Sequence, residues 1–144
     1  MRPRQEGERE EARPRGWRVT TDGWERSLSE RVIEHLEQHY RSQISLREVA
    51  ETFGYSAGYL TNAFRRTTGL PITAWITKRR IVAAQRLLGE ANASVAAACE
   101  AVGFSDVCHF TRQFVHYVGI TPRRFRSTVN ASPPLERVNV HRAD

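Results

Sequence analysis

No apolar run in these 144 residues approaches the roughly 20 residues that a membrane-spanning helix requires. The N-terminus, MRPRQEGERE, has no signal-peptide core either, so no membrane partner is expected. Cysteine is scarce. Cys99 and Cys108 cannot build a disulfide framework and lack zinc-ligand spacing, a pattern that suits a reducing cytoplasm. A Gly-rich phosphate loop and a paired-carboxylate site are both missing. Cys108 and His109 are adjacent, but adjacent helical residues point about 100° apart, so they do not form a nucleophile–base pair. An enzyme is not expected, and neither cofactor nor metal is implied. His35 and His39, four apart, could share a metal, but no third ligand accompanies them and a solvated pair is the simpler reading.

Acidic residues are missing where it matters most. None occurs from Thr52 to Gly89, which holds Arg65, Arg66, Lys78, Arg79, Arg80 and Arg86, and none from Val107 to Leu135, which holds Arg112, Arg123, Arg124 and Arg126. Many of the central acids (Glu30, Glu34, Glu37, Glu48, Glu51) precede the first of these stretches. Net charge is +6 and the pI about 10.1. One basic and one acidic side is the footprint of a module that docks on a polyanion such as double-stranded DNA.

Against these absences stands a repeat. Gly54 to Gly69, GYSAGYLTNAFRRTTG, returns at Gly103 to Gly119 as GFSDVCHFTRQFVHYVG. Each copy follows a short apolar helix pattern, turns at a glycine, restarts at a serine (Ser56, Ser105) and closes on a glycine. The offset is 49 at the turn glycines and 50 from Thr61 and Thr111 onward, with one extra residue after the second capping serine. Helix, tight turn and second helix is the plan of the helix-turn-helix, whose second helix enters a DNA major groove.

The remaining segments fit around the repeat. A first helix is expected from Ser27, with Ser27 and Glu30 as a capping box and Leu28, Val32, Leu36 and Tyr40 as its apolar stripe. Ser45 with Glu48 predicts a second capping box, with Ile44 and Val49 as a hydrophobic staple. Leu60, Ala63 and Phe64 should face inward on the next helix. Pro71 marks the start of a long helix to about Leu88, roughly 17 residues and 26 Å, a rod able to hold two heads apart. Ser94 repeats Ser45, with Val95, Ala98, Cys99 and Val102 inward. Thr121-Pro122 starts a short helix with Arg123, Arg124, Phe125 and Arg126. Residues 1–26 read as a flexible tail and 128–144 as a loose end.

Taken together, SLREVAETFGYSAGYLTNAFRRTTG, WITKRRIVAAQRLL and GFSDVCHFTRQFVHYVGITPRRFR resemble the DNA-binding domain of the AraC/XylS family of bacterial transcription regulators over residues 27–127. The resemblance implies an all-α fold of about seven helices: a first helix-turn-helix unit at 27–70, a linker helix at 71–90 and a second unit at 91–127. It further implies two reading helices in successive major grooves, with RNA polymerase as an expected partner and the nucleoid as the place of action. Relatives often carry a larger residue where Asn62 stands, an aromatic where His109 stands and a polar residue at Cys108, so base preference does not transfer. Many also carry an effector-binding domain ahead of this part. Here some 26 tail-like residues precede it, no small-molecule effector site is evident, and Met1 favours a protein that acts alone.

Base reading is assigned to Gly58, Thr61 and Asn62 in the first copy and to Val107, Cys108, Thr111 and Arg112 in the second. Phosphate contacts are assigned to Ser45, Arg65, Arg66, Ser94, His116, Arg123 and Arg124. A non-specific architectural binder, or an adaptor gripping RNA polymerase with the same fold, is the alternative.

Overall fold

The computed structural model describes residues 18–131. Seven helices follow one another there, and the described residues include no strand. They are α1 (Arg18–His39), α2 (Leu46–Phe53), α3 (Ala57–Thr68), α4 (Ile72–Gly89), α5 (Val95–Ala101), α6 (Val107–Val118) and α7 (Pro122–Ala131). No helix of the described residues is long and apolar enough to cross a membrane. The chain divides into two compact units, Met1–His39 with Ile44–Trp75, and Tyr40–Gln43 with Ile76–Asp144.

The first unit is built on α1, α2 and α3. The stripe Leu28, Val32 and Leu36 is fully buried and meets Val49 and Ala50 of α2 and Leu60, Ala63 and Phe64 of α3 within one core. Fully burying a side chain such as Leu or Phe contributes about 1.5–3 kcal/mol, so these few residues suffice to hold three short helices. Ser45 forms the expected capping box: its Oγ accepts from the Glu48 amide at 3.1 Å while Glu48 Oε1 accepts from the Ser45 amide at 3.2 Å. Val49 is buried and Ile44 half-buried, as a staple requires.

In the second unit a chain of aromatic rings supplies the core. Phe104, Phe110, Phe114 and Phe125 follow one another at centroid distances of 5.2, 5.7 and 5.5 Å. Ile81, Ala84 and Leu88 of α4 and Ala98, Cys99 and Val102 around α5 are buried with them. The loop 40–43 belongs to this unit because its backbone is gripped there. Arg80 donates from Nε to the Tyr40 carbonyl (2.7 Å) and from Nη2 to the Ser42 carbonyl (2.8 Å), and Gln43 Nε2 donates to the Gly103 carbonyl (2.9 Å).

Three expectations need correction. First, α1 begins at Arg18 rather than near Ser27, so the last nine residues of the supposed tail 1–26 are helical. Residues 1–17 lie outside the described residues. Ser27 is an exposed mid-helix residue, and the turn before it is held by a contact 41 positions away, Glu25 with Arg66, which no local signal reveals. Second, the cap of α6 is Asp106, whose Oδ1 accepts from the Cys108 amide at 2.9 Å; Ser105 stands before it, exposed. Third, α7 runs to Ala131 with Val129 buried, so the presumed loose end 128–144 starts as helix; residues 132–144 lie outside the described residues. The linker helix expected at 71–90 is α4, and the boundary between the two compact units falls within it, between Trp75 and Ile76.

Candidate nucleic-acid interface

The two turns are the same structure built twice. After α2 the Gly54 amide donates to the Glu51 carbonyl (3.2 Å) and the Tyr55 amide to the Ala50 carbonyl (3.0 Å). After α5 the Gly103 amide donates to Glu100 (3.2 Å) and the Phe104 amide to Cys99 (3.1 Å), each partner 49 residues further on. Gly54 (φ 78°) and Gly103 (φ 106°) occupy the left-handed region that side chains other than glycine's rarely enter. At Gly103 space is also closed: an added Cβ would lie 2.8 Å from the Arg41 carbonyl oxygen.

From the caps onward the offset becomes 50. Ser56 Oγ accepts from the Tyr59 amide and Asp106 from Cys108, so the inserted residue is Ser105, in the turn itself. Leu60, Phe64 and Gly69 then match Phe110, Phe114 and Gly119, and the closing amides donate to Arg65 and Val115 at the same 2.8 Å. The buried faces of α3 and α6 therefore fix which residues point away from their cores.

On α3, Gly58, Asn62 and Arg65 are exposed and Thr61 half-buried. On α6, Val107, Cys108 and Arg112 are exposed, Thr111 is half-buried, and His116 is exposed near the C-terminal end. Each unit thus brings its expected base-reading residues to one helix. Val115 is exposed as well and falls between Thr111 and Arg112 around the helix. It was not expected, and its match to Arg65 at offset 50 was the available signal.

The expected phosphate group divides. Arg65, Arg123 and Arg124 are exposed. Arg66 differs: it donates from Nε and Nη2 to the two carboxylate oxygens of Glu25 at 3.0 and 2.6 Å, and that carboxylate is 12% exposed. This ion pair ties α1 to α3, while the Arg66 side chain itself remains 53% exposed. The Ser45 and Ser94 hydroxyls both accept from amides of their own first turns, leaving exposed helix starts at α2 and α5.

Remaining chemistry is structural. Cys99 is buried, and burial, followed by Asp106 and Glu100, pushes its thiol up in pKa and away from reactivity. His35 and His39 stack at 4.3 Å, His35 meets Phe53 edge-on at 5.6 Å, and burial and the neighbouring His39 lower its pKa. No group of three or more potential metal ligands occurs among the described residues.

A family model described as a helix-turn-helix domain matches residues 49–128. The chain is 29% identical over 97 residues to the multiple antibiotic resistance protein MarA of Escherichia coli (strain K12), covering 67% of this chain and 76% of MarA. It spans 34–40% of the length of other curated relatives that it matches. Among solved structures, the C-terminal domain of the two-component response regulator yesN from Fusobacterium nucleatum superposes with a TM-score of 0.66 at 30% identity, over 69% of this chain and 98% of that one. The DNA-binding domain of the global transcriptional factor AdpA, solved in complex with a target DNA, shares the fold with a TM-score of 0.70 at 24% identity, over 74% and 96%. With its duplicated capped turn, its two outward-facing helices and these matches, the chain belongs to the AraC/XylS family of transcriptional regulators and carries that family's helix-turn-helix DNA-binding domain.

Proposed function

We propose that the protein is a sequence-specific DNA-binding transcriptional regulator that reads a bipartite site, one half with α3 and the other with α6, in successive major grooves. The observation that carries this reading is the duplication of a capped, core-anchored helix whose outward face holds hydrogen-bonding residues and no acid. Thr61 and Asn62 in the first head and Thr111 and Arg112 in the second meet base edges; Asn suits adenine, and Arg grips guanine N7 and O6. Gly58 lets the α3 backbone approach closely, while Val107 and Cys108 line the start of α6. Arg65, His116, Arg123 and Arg124, with the helix starts at Ser45 and Ser94, meet phosphates, setting register and a salt-dependent affinity. The protein acts by binding and not by catalysis, in the cytoplasm on the nucleoid, with RNA polymerase as its second partner.

Competition between an enriched site and random duplex tests this directly. A specific regulator prefers its site by on the order of 10³-fold or more. Equal competition by random DNA would instead make the protein an architectural binder.

A further inference from the structure

Among the described residues the large apolar side chains left exposed are Val107 (46%) and Val115 (38%), and both are on α6. Single exposed valines are ordinary on a protein surface. These two share an arc. At 100° per residue, Val107, Thr111, Val115, Cys108 and Arg112 fall in that order across about 140° of the helix circumference. Phe110, Phe114 and Val118, which are buried, lie toward the Val107 edge of this arc, and Arg112 stands farthest from them, while Val107 stays exposed at the first turn of the helix. The arc's single charge is Arg112, and no acid follows from Val107 to the end of the described residues, while Arg123 and Arg124 stand exposed on α7. An apolar face within a basic surround suits a ligand that presents a small apolar group beside phosphates. Double-stranded DNA has one such group in its major groove, the C5 methyl of thymine. Val107 is the first residue of α6, and the N-terminal residues of a recognition helix approach the base edges most closely.

We propose that α6 reads thymine by its methyl group: Val107 lies against the C5 methyl of a thymine next to the guanine held by Arg112. Val115, about 12 Å further along the helix axis, extends the dry strip. This rests on the DNA-reading function proposed above and adds the base that the second half-site must contain. The first head offers no counterpart, since Ala57 and Gly58 stand where α6 has Val107 and Cys108.

The test starts from a site selected out of random duplex DNA by the full chain. Each thymine in the half-site that Arg112→Ala relaxes is then replaced by deoxyuridine, which removes the methyl and nothing else. One position beside the guanine should weaken binding about fourfold, the value of one methylene-sized group withdrawn from water. The Val107→Ala protein, melting like the parent because Val107 is exposed, should bind thymine and uracil versions within twofold. Equal binding of the two versions by the parent overturns the proposal while leaving the regulator reading intact. A methyl effect that survives Val107→Ala overturns it too, as does a concentration-dependent dimer that Val107→Ala abolishes without changing the thymine-to-uracil ratio. Selection that enriches no site removes this inference and the function beneath it together.

Discussion

At five matched positions α3 carries Ala57, Gly58, Thr61, Asn62 and Arg65, where α6, fifty residues on, carries Val107, Cys108, Thr111, Arg112 and Val115. The frame behind them is nearly identical in the two copies, with the same turn bonds, a side-chain cap, a buried Phe and a closing glycine. What a head can recognise is therefore set by a handful of side chains that contribute little to folding. The first head holds out small and polar groups, with its free-standing charge, Arg65, toward the C-terminal end and its other arginine bonded to Glu25. The second puts its arginine about halfway along the helix, at one edge of the reading arc, with Cys108 and Val115 beside it. Anchoring by the first copy and discrimination by the second is the division of labour this predicts.

Equality of the frames can be broken most forcefully at the core. Phe64→Ala and Phe114→Ala remove side chains that are 1% and 0% exposed. Each should cost about 3–5 kcal/mol in denaturant unfolding, and a gap between them as large as either cost would show that the copies are not equivalent scaffolds. The turn glycines should separate next. Gly54 has open space around an added Cβ, so Gly54→Ala costs about 1–2 kcal/mol for the left-handed backbone alone. Gly103→Ala adds the approach to the Arg41 carbonyl, a further 1–3 kcal/mol of overpacking. Equal melting temperatures for the two variants would contradict that ordering.

Function should divide more finely. Arg112→Ala is expected to lose roughly 1–3 kcal/mol of discrimination at one base position, with Asn62→Ala at or below the lower end of that range; profiles over a mutated-site panel decide it. The smallest change concerns salt. Arg65→Ala should weaken all sequences alike and reduce the slope of log K against log salt by about one. A sequence-dependent loss at Arg65 would move that residue from the backbone to the bases.

The helix order, the capping box at Ser45 and the inward sets of both copies were legible because each rests on local chemistry: an oxygen three residues before its amide, or apolar residues at helical spacing. Four things were not. The start of α1 was misplaced because an S-x-x-E string inside a helix looks like one at its start, and the Glu25–Arg66 contact in the turn before Ser27 spans 41 residues. The cap at Asp106 was obscured because Ser105 beside it is an equally good capping residue, and only the backbone bonds show which one accepts. Arg66 looked like Arg65 in sequence, being its neighbour on a basic helix, and its pairing with the Glu25 carboxylate 41 positions away had no local signal. Val115 was overlooked because an apolar residue on a helix is ordinarily read as core.

The asymmetry between the heads is tested most directly by selecting bound sites from a random duplex library with the parent chain and with Arg112→Ala in parallel. Unequal heads should give a bipartite motif for the parent whose more sharply defined half, containing guanine next to thymine, loses its definition in the variant while the other half persists. A motif whose sharper half survives Arg112→Ala unchanged, or no motif at all, would contradict it.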